Sequence, residues 1–183
     1  MWQAVLSFVQ SILIYVVCII FSFFSEEVSD GVVMNAYIEY FITIYLLTFG
    51  SSCLGIMVSS ISGNPTTAMT IMPFVLILQL IMSGVLFELG DGSEIVANIT
   101  FSKWGMSAFS ATADLNSIEH AMEITFLDKG MNDMATMIAE EFPADEAHDA
   151  TKSNLLTSWP WCLGITMVSN IVSVLSLKIK NRD

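Results

Sequence analysis

The sequence predicts an all-α membrane protein: four transmembrane helices, with a large extracytoplasmic loop carrying short helices between the third and the fourth. Composition is the first reason, since 54% of the 183 residues are hydrophobic and only 13% charged, about half the charged fraction of a soluble domain. The second is that the apolar residues gather into four runs, each about as long as the roughly 20 residues that carry a helix across a hydrocarbon core. The third is the placement of charge: twelve of the eighteen acids and three of the six Lys and Arg residues fall between Gly90 and Ser158.

The runs cover residues 5–24, 41–60, 69–89 and 159–177, in one transmembrane domain spanning residues 1–183, and the external loop covers residues 90–158. Only a helix or a closed barrel satisfies its own backbone in lipid, and these runs are too long for strands and too uniformly apolar for soluble amphipathic helices. The first run has no basic segment before it and exceeds the apolar length of a secretory signal, so it reads as a retained span. The second ends at Ser62-Gly63-Asn64-Pro65, where Gly63 tolerates positive φ and Pro65 discourages helix at the residue before it. The third starts within a few residues as an antiparallel partner and carries Pro73 near its start. Lys178, Lys180 and Arg182 follow the fourth, which places the C-terminus, and with four spans the N-terminus, in the cytoplasm. Trp2, Trp159 and Trp161 stand at the expected interfaces, which supports the span ends.

Helices associate in lipid through close backbone approach and interhelical hydrogen bonds, so small and polar residues inside the spans carry information. Ser51, Gly55 and Ser59 recur every four residues and are expected to form a helix-packing stripe. Gln79 lies in the middle of the third run, at a depth where an unpaired amide is most costly, so it is expected to face protein or a watered cavity. Two roles fit it: a structural hydrogen bond to a neighbouring helix, the simpler account, or a polar contact in a translocation path. Asn170 in the fourth run is read as structural, and Ser83-Gly84 as a weak point where the third helix bends or lets a backbone approach.

A 69-residue connection should carry elements of its own. Residues 95–113 are apolar enough to lie against the membrane or dip into it. Asn116 and Glu119 have capping-box spacing ahead of Ile118, Met122 and Phe126, predicting a helix over residues 117–129 broken at Gly130. Met134, Ile138 and Phe142 predict a second helix ending at Pro143, and both are expected to press an apolar face on the span ends. Met131, Met134 and Met137 have a spacing that a soft ion such as Cu(I) accepts, but an apolar helix face is the simpler account. His120 with Glu119 and Glu123, or His148 with Glu146 and Asp149, reads more simply as solvated acidic helix than as a divalent-metal site, so no metal ligand is assigned. Asn98-Ile99-Thr100 fits an N-glycosylation acceptor, a pattern common by chance. The absence of a basic face argues against a nucleic-acid partner. Cys18, Cys53 and Cys162 all lie in apolar runs, with no zinc spacing.

The stretch from Phe49 to Phe109, with its small-residue span, short turn, long apolar span ending in "SGVLFEL" and following "SKWGMSAF", resembles the membrane domain of type-two ABC exporters, particularly the G subfamily. The resemblance implies the C-terminal part of a six-span permease whose fifth helix is the third run here, followed by an external loop with short re-entrant helices. It implies two paired halves, homo- or heterodimeric, with fifth helices lining a central cavity closed by an apolar constriction near their outer ends. By position relative to Ser83-Gly84, cavity candidates are Pro73, Ile77, Gln79 and Leu80, and constriction candidates Val85 and Leu86. Pro73, Ile77 and Leu80, at i, i+4 and i+7, share one helix face without reference to the family.

No phosphate-binding GxxxxGK[ST] loop is present, so no catalytic residue is expected here; ATP and Mg belong on an ATP-binding cassette domain or subunit that partners the chain. The cysteine pairs of the external loop in animal members are absent, which points to a bacterial or other microbial inner or plasma membrane. The function expected is the permease of an ATP-driven exporter moving a lipid-like or amphipathic substrate. The alternative is a four-span scaffold or assembly subunit without transport activity. An intramembrane enzyme ranks third, because the span interiors hold no cluster of acids, bases or metal ligands; Glu39 and Glu88 read as interface residues.

Overall fold

A computed structural model describes residues 2–24, 31–84, 96–141 and 149–180. The described residues form helices and connections with no strand among them, as an all-α membrane protein requires. In chain order the helices are α1 (Trp2–Phe24), α2 (Ala36–Ile61), α3 (Pro65–Ile81), α4 (Phe101–Ala113), α5 (Leu115–Asp128), α6 (Asn132–Glu141) and α7 (Lys152–Lys180). Three of them, α1, α2 and α7, are long and apolar enough to cross a membrane.

The helix α3 starts earlier than its apolar run, because Asn64 and Pro65 form a strong start signal. Asn64 holds an extended conformation and its side chain accepts from Thr67 N at 2.9 Å and from Thr67 Oγ1 at 2.7 Å. Pro65 takes the first helical position, where its missing N–H removes nothing. The 17 residues of α3 rise about 25 Å and end at Ile81; residues 85–89 of the expected span lie outside the described residues.

Helix α2 is the centre of the assembly, antiparallel to α1 and parallel to α7. On one flank it meets α1, where Ser7 Oγ donates to Ser52 Oγ at 3.4 Å and Phe8 and Tyr15 set ring edges against Phe41 and Tyr45. On the other it meets α7 along its whole length, from Trp159 Nε1 donating to Thr43 Oγ1 at 3.1 Å to Lys180 Nζ donating to Ser62 O at 3.2 Å. That last contact puts a cation on the C-terminal carbonyls of α2, the end the helix dipole makes negative. The buried face of α7 is Leu155, Ser158, Cys162, Thr166, Ser169 and Ser173, spaced by three or four, so small side chains let α2 approach.

The remaining helices sit at the Ala36 end of α2, opposite the Lys178 and Lys180 end of α7. Asp114, in the left-handed region at φ 53°, turns α4 directly into α5. Helices α5 and α6 pack on each other across Gly130, itself at φ 71°, with Ala135 buried and Phe126 and Ile138 half-buried. Two expectations for this region need correction. Asn116 is not a cap: Asp114 precedes the helix, and Asn116 Nδ2 instead donates to Asp149 Oδ1 at 2.7 Å. Ile118, Met122 and Met134 are exposed and do not press on span ends; α5 and α6 meet each other instead, on sides that carry Phe126, Ala135 and Ile138. Phe142 and Pro143 lie outside the described residues.

Candidate functional site

Helix α3 has two distinct sides. Ala68, Met72, Val75 and Gln79 form its half-buried stripe, turned to α2 and α4. Pro73, Ile77 and Leu80 share an exposed side, Ile77 and Leu80 each at 54% exposure. Val85 and Leu86 lie outside the described residues.

Gln79 is held to the inner side by one hydrogen bond: its Oε1 accepts the backbone N–H of Ser102 at 2.9 Å. The reason lies at the start of α4. The first N–H groups of a helix have no intrahelical partner, and Thr100, in the capping position, makes no side-chain cap because its hydroxyl donates back to Ala97 O at 2.6 Å. Gln79 supplies the missing acceptor from another helix. The amide in the apolar run therefore has a structural partner, and only a neighbour with an unsatisfied donor could provide it.

The depth of that junction follows from Phe101, whose ring lies on Gly50. A Cβ at Gly50 would overlap the ring and come within 2.8 Å of Thr166 Oγ1, and both Gly50 and Thr166 stand near the midpoints of their helices. Further along α4, Gly105 packs on Leu47 and Phe109 stacks on Tyr40 with centroids 6.2 Å apart. Ser158 Oγ donates to Ser107 Oγ at 3.1 Å, joining α4 to α7. Helix α4 thus rises from the middle of the α2–α7 pair to its loop end, dipping into the span layer as the apolar run of residues 95–113 suggested.

Close packing uses a face of α2 other than the expected one. Ser51 and Ser59 are exposed, and of that stripe Gly55 alone meets a helix, its Cβ position lying 3.3 Å from Met72 Cε on α3. The buried face carries Thr43, Gly50, Cys53 and Ser60, and it meets the small-residue side of α7. Asn170 Nδ2 donates to Cys53 Sγ at 3.0 Å and to Thr166 O at 3.0 Å, the structural role expected of it. Ser176 Oγ donates to Ser60 O at 2.9 Å.

Two further features have no distinct signal in the sequence. Glu39, expected at an interface, is fully buried and accepts backbone N–H bonds from Val32 at 3.1 Å and from Val33 and Met34 at 2.6 Å each. It closes the turn that leads into α2. Lys103 Nζ donates to Asn98 Oδ1 at 2.9 Å, while Trp104 Nε1 donates to Asn98 O at 2.9 Å. In the outer hairpin, His120 lies 3.5 Å from Glu123 one turn away, and Met131, Met134 and Met137 are exposed.

The described residues thus hold three helices long and apolar enough to cross a membrane, a fourth apolar helix with an exposed side, and a helix that reaches inward from the loop end. Residues 1–113, which hold α1 to α4, match the family model described as ABC-2 type transporter. No curated protein and no solved structure matches the chain. Because the match takes in well over half of the sequence and the helices that build the candidate site, the chain belongs to the ABC-2 type transporter family as a membrane permease component.

Proposed function

We propose that the chain is the permease part of an ATP-driven exporter related to the G subfamily, moving a lipid-like or amphipathic substrate through a cavity between two paired halves. The observation that carries this reading is the two-sidedness of α3: Gln79 pins one side to α4, leaving Pro73, Ile77 and Leu80 as an apolar side with no partner among the described residues. That side would line the cavity, with Val85 and Leu86 at its constriction. Ser51 and Ser59, exposed here, would be available to a helix of the second half. ATP binding and hydrolysis, with Mg, would occur on an ATP-binding cassette partner, and its cycle would alternate access to the cavity. The protein would be multi-pass in an inner or plasma membrane, with α3 as its third crossing and both termini cytoplasmic, as Lys178, Lys180 and Arg182 favour.

The test is transport in sealed vesicles by the full-length protein with its ATP-hydrolysing partner, using fluorescent phospholipid and amphipathic dye substrates. ATP-dependent movement that slows in Leu80→Trp supports the cavity. Normal ATP hydrolysis with no substrate movement and no substrate stimulation would favour a four-span scaffold.

A further inference from the structure

Helix α1 carries two glutamines, and the described residues provide a partner for one of them. Gln3, at the start of the helix, is half-buried, and its Nε2 donates to Cys53 Sγ at 3.8 Å. Gln10 is exposed and makes no hydrogen bond to any described residue. It is also the deeper of the two, about 12 Å along the helix from Trp2. On either side of it Ser7 meets Ser52 and Tyr15 meets Phe41, which sets its level within the apolar run of residues 41–60. Lipid tails offer an amide nothing to bond, and polar side chains at such depth face protein or a watered cavity. The exposed side of α1 therefore calls for a protein neighbour.

The residues around Gln10 say which neighbour. Leu6, Gln10, Leu13, Val17 and Ile20 follow one another at alternating steps of four and three, and all are exposed. Ser7 and Ser11, on the side turned to α2, are buried. The alternation is that of a heptad seam, by which two helices pack at a shallow left-handed crossing in water and in membranes alike. A single polar residue in such a seam fixes register, because it is satisfied only by a polar group at its own level. A second copy supplies one automatically. Copies inserted in one orientation are related by a two-fold axis along the membrane normal, which sets their α1 helices parallel and brings each seam residue opposite itself. A carboxylate or an ammonium there would meet its own charge. An amide is donor and acceptor at once, so two Gln10 side chains satisfy each other across the axis.

We infer that α1 is a self-association surface: Leu6, Leu13, Val17 and Ile20 pack against the same residues of a second copy, and the two Gln10 amides hydrogen-bond across the axis. The surface requires only that two copies be inserted in one orientation. It uses no residue of α3 and stands independently of the transport reading.

The experiment is thiol–disulfide exchange in glutathione buffers, on the full-length protein in phosphatidylcholine vesicles and in a Cys18→Ser background. Leu6→Cys is expected to give disulfide-linked pairs of chains, whereas Val5→Cys, exposed at nearly the same depth but off the seam, is not. Gln10→Leu should lower the exchange equilibrium constant of the Leu6→Cys pair about eightfold, the equivalent of two interhelical hydrogen bonds of average strength, while Gln10→Asn keeps it. No linkage at Leu6→Cys, or equal linkage at Leu6→Cys and Val5→Cys, would overturn the surface. Linkage at Leu6→Cys that Gln10→Leu leaves unmoved would overturn the amide pairing on which the choice of a second copy rests.

Discussion

Gln79 shows how a single side chain is decided by what its neighbour lacks. Its oxygen satisfies a backbone donor of α4 that Thr100 leaves open. Replacement by leucine would leave the Ser102 N–H unsatisfied in a half-buried place. Interhelical hydrogen bonds in membranes average about 0.6 kcal/mol, whereas a donor left unpaired in a buried place costs roughly 1 to 3 kcal/mol. Since Gln79→Leu strands one donor, a loss of about 1 kcal/mol is expected in equilibrium unfolding in mixed micelles. Glu39 should matter more, because its carboxylate receives three backbone N–H groups while fully buried. Glu39→Gln turns one acceptor into a donor facing those groups, and a loss of roughly 2 kcal/mol is expected by the same measurement. The polarity of Gln79 was legible in the sequence as a demand for a partner, but the partner was not, since a backbone donor has no letter of its own. Glu39 was harder: a carboxylate near a helix start reads as exposed, and burial becomes visible only once the turn of residues 31–35 folds over it.

At the level of helices, the sequence identified the elements well and their faces less well. The start of α3 was legible because Asn64-Pro65 combines a capping side chain with a residue suited to the first helical position. The packing face of α2 was not. That helix carries small residues on two sides, and the four-residue repeat of Ser51, Gly55 and Ser59 is the more regular of the two. What selects Thr43, Gly50, Cys53 and Ser60 is the complementary side of α7 more than a hundred residues away, and a periodicity confined to one helix cannot contain it. Gly50 is where this matters most, because the Phe101 ring occupies the space a side chain would take. Gly50→Leu is expected to destabilise the protein by about 1 to 3 kcal/mol through overpacking and to expel Phe101, whereas Gly63→Leu, with open space around it, leaves Phe101 in place. Reaction of a cysteine placed at Ser102, which leaves the Phe101 ring in place, with a water-soluble maleimide would report the difference. For α3, cysteines at Ile77 and Leu80 should change reactivity between nucleotide-free and nucleotide-bound states of the full transporter, while one at Val75, on the inner stripe, should not. Identical reactivity at all three in both states would remove the exposed side from the pathway.

For the molecule as a whole, the contacts along α2 and α7 put α5, α6 and the end of α4 at one end of the helices and Lys178 and Lys180 at the other. Sidedness is then a single question, answered by adding protease to sealed vesicles: cleavage within α5 or α6 should occur on the face opposite the one that exposes a tag after Asp183. Both cut from the same side would contradict the arrangement. The overall architecture was readable because hydropathy and length report directly on a slab of known thickness. The inward reach of α4 was only partly readable, since "apolar enough to dip" does not say how far. The depth depends on a ring meeting a glycine on one helix and a threonine on another.

That three-way junction has a consequence for biosynthesis. Phe101 rests on Gly50 and beside Thr166 at once, so the cradle for α4 has one wall in place when α4 leaves the ribosome and gains the other only after some sixty further residues are made. Until α7 is inserted, α4 has nowhere settled to lie, and a nascent chain halted before Lys152 should hold it in the insertion machinery or at the bilayer surface.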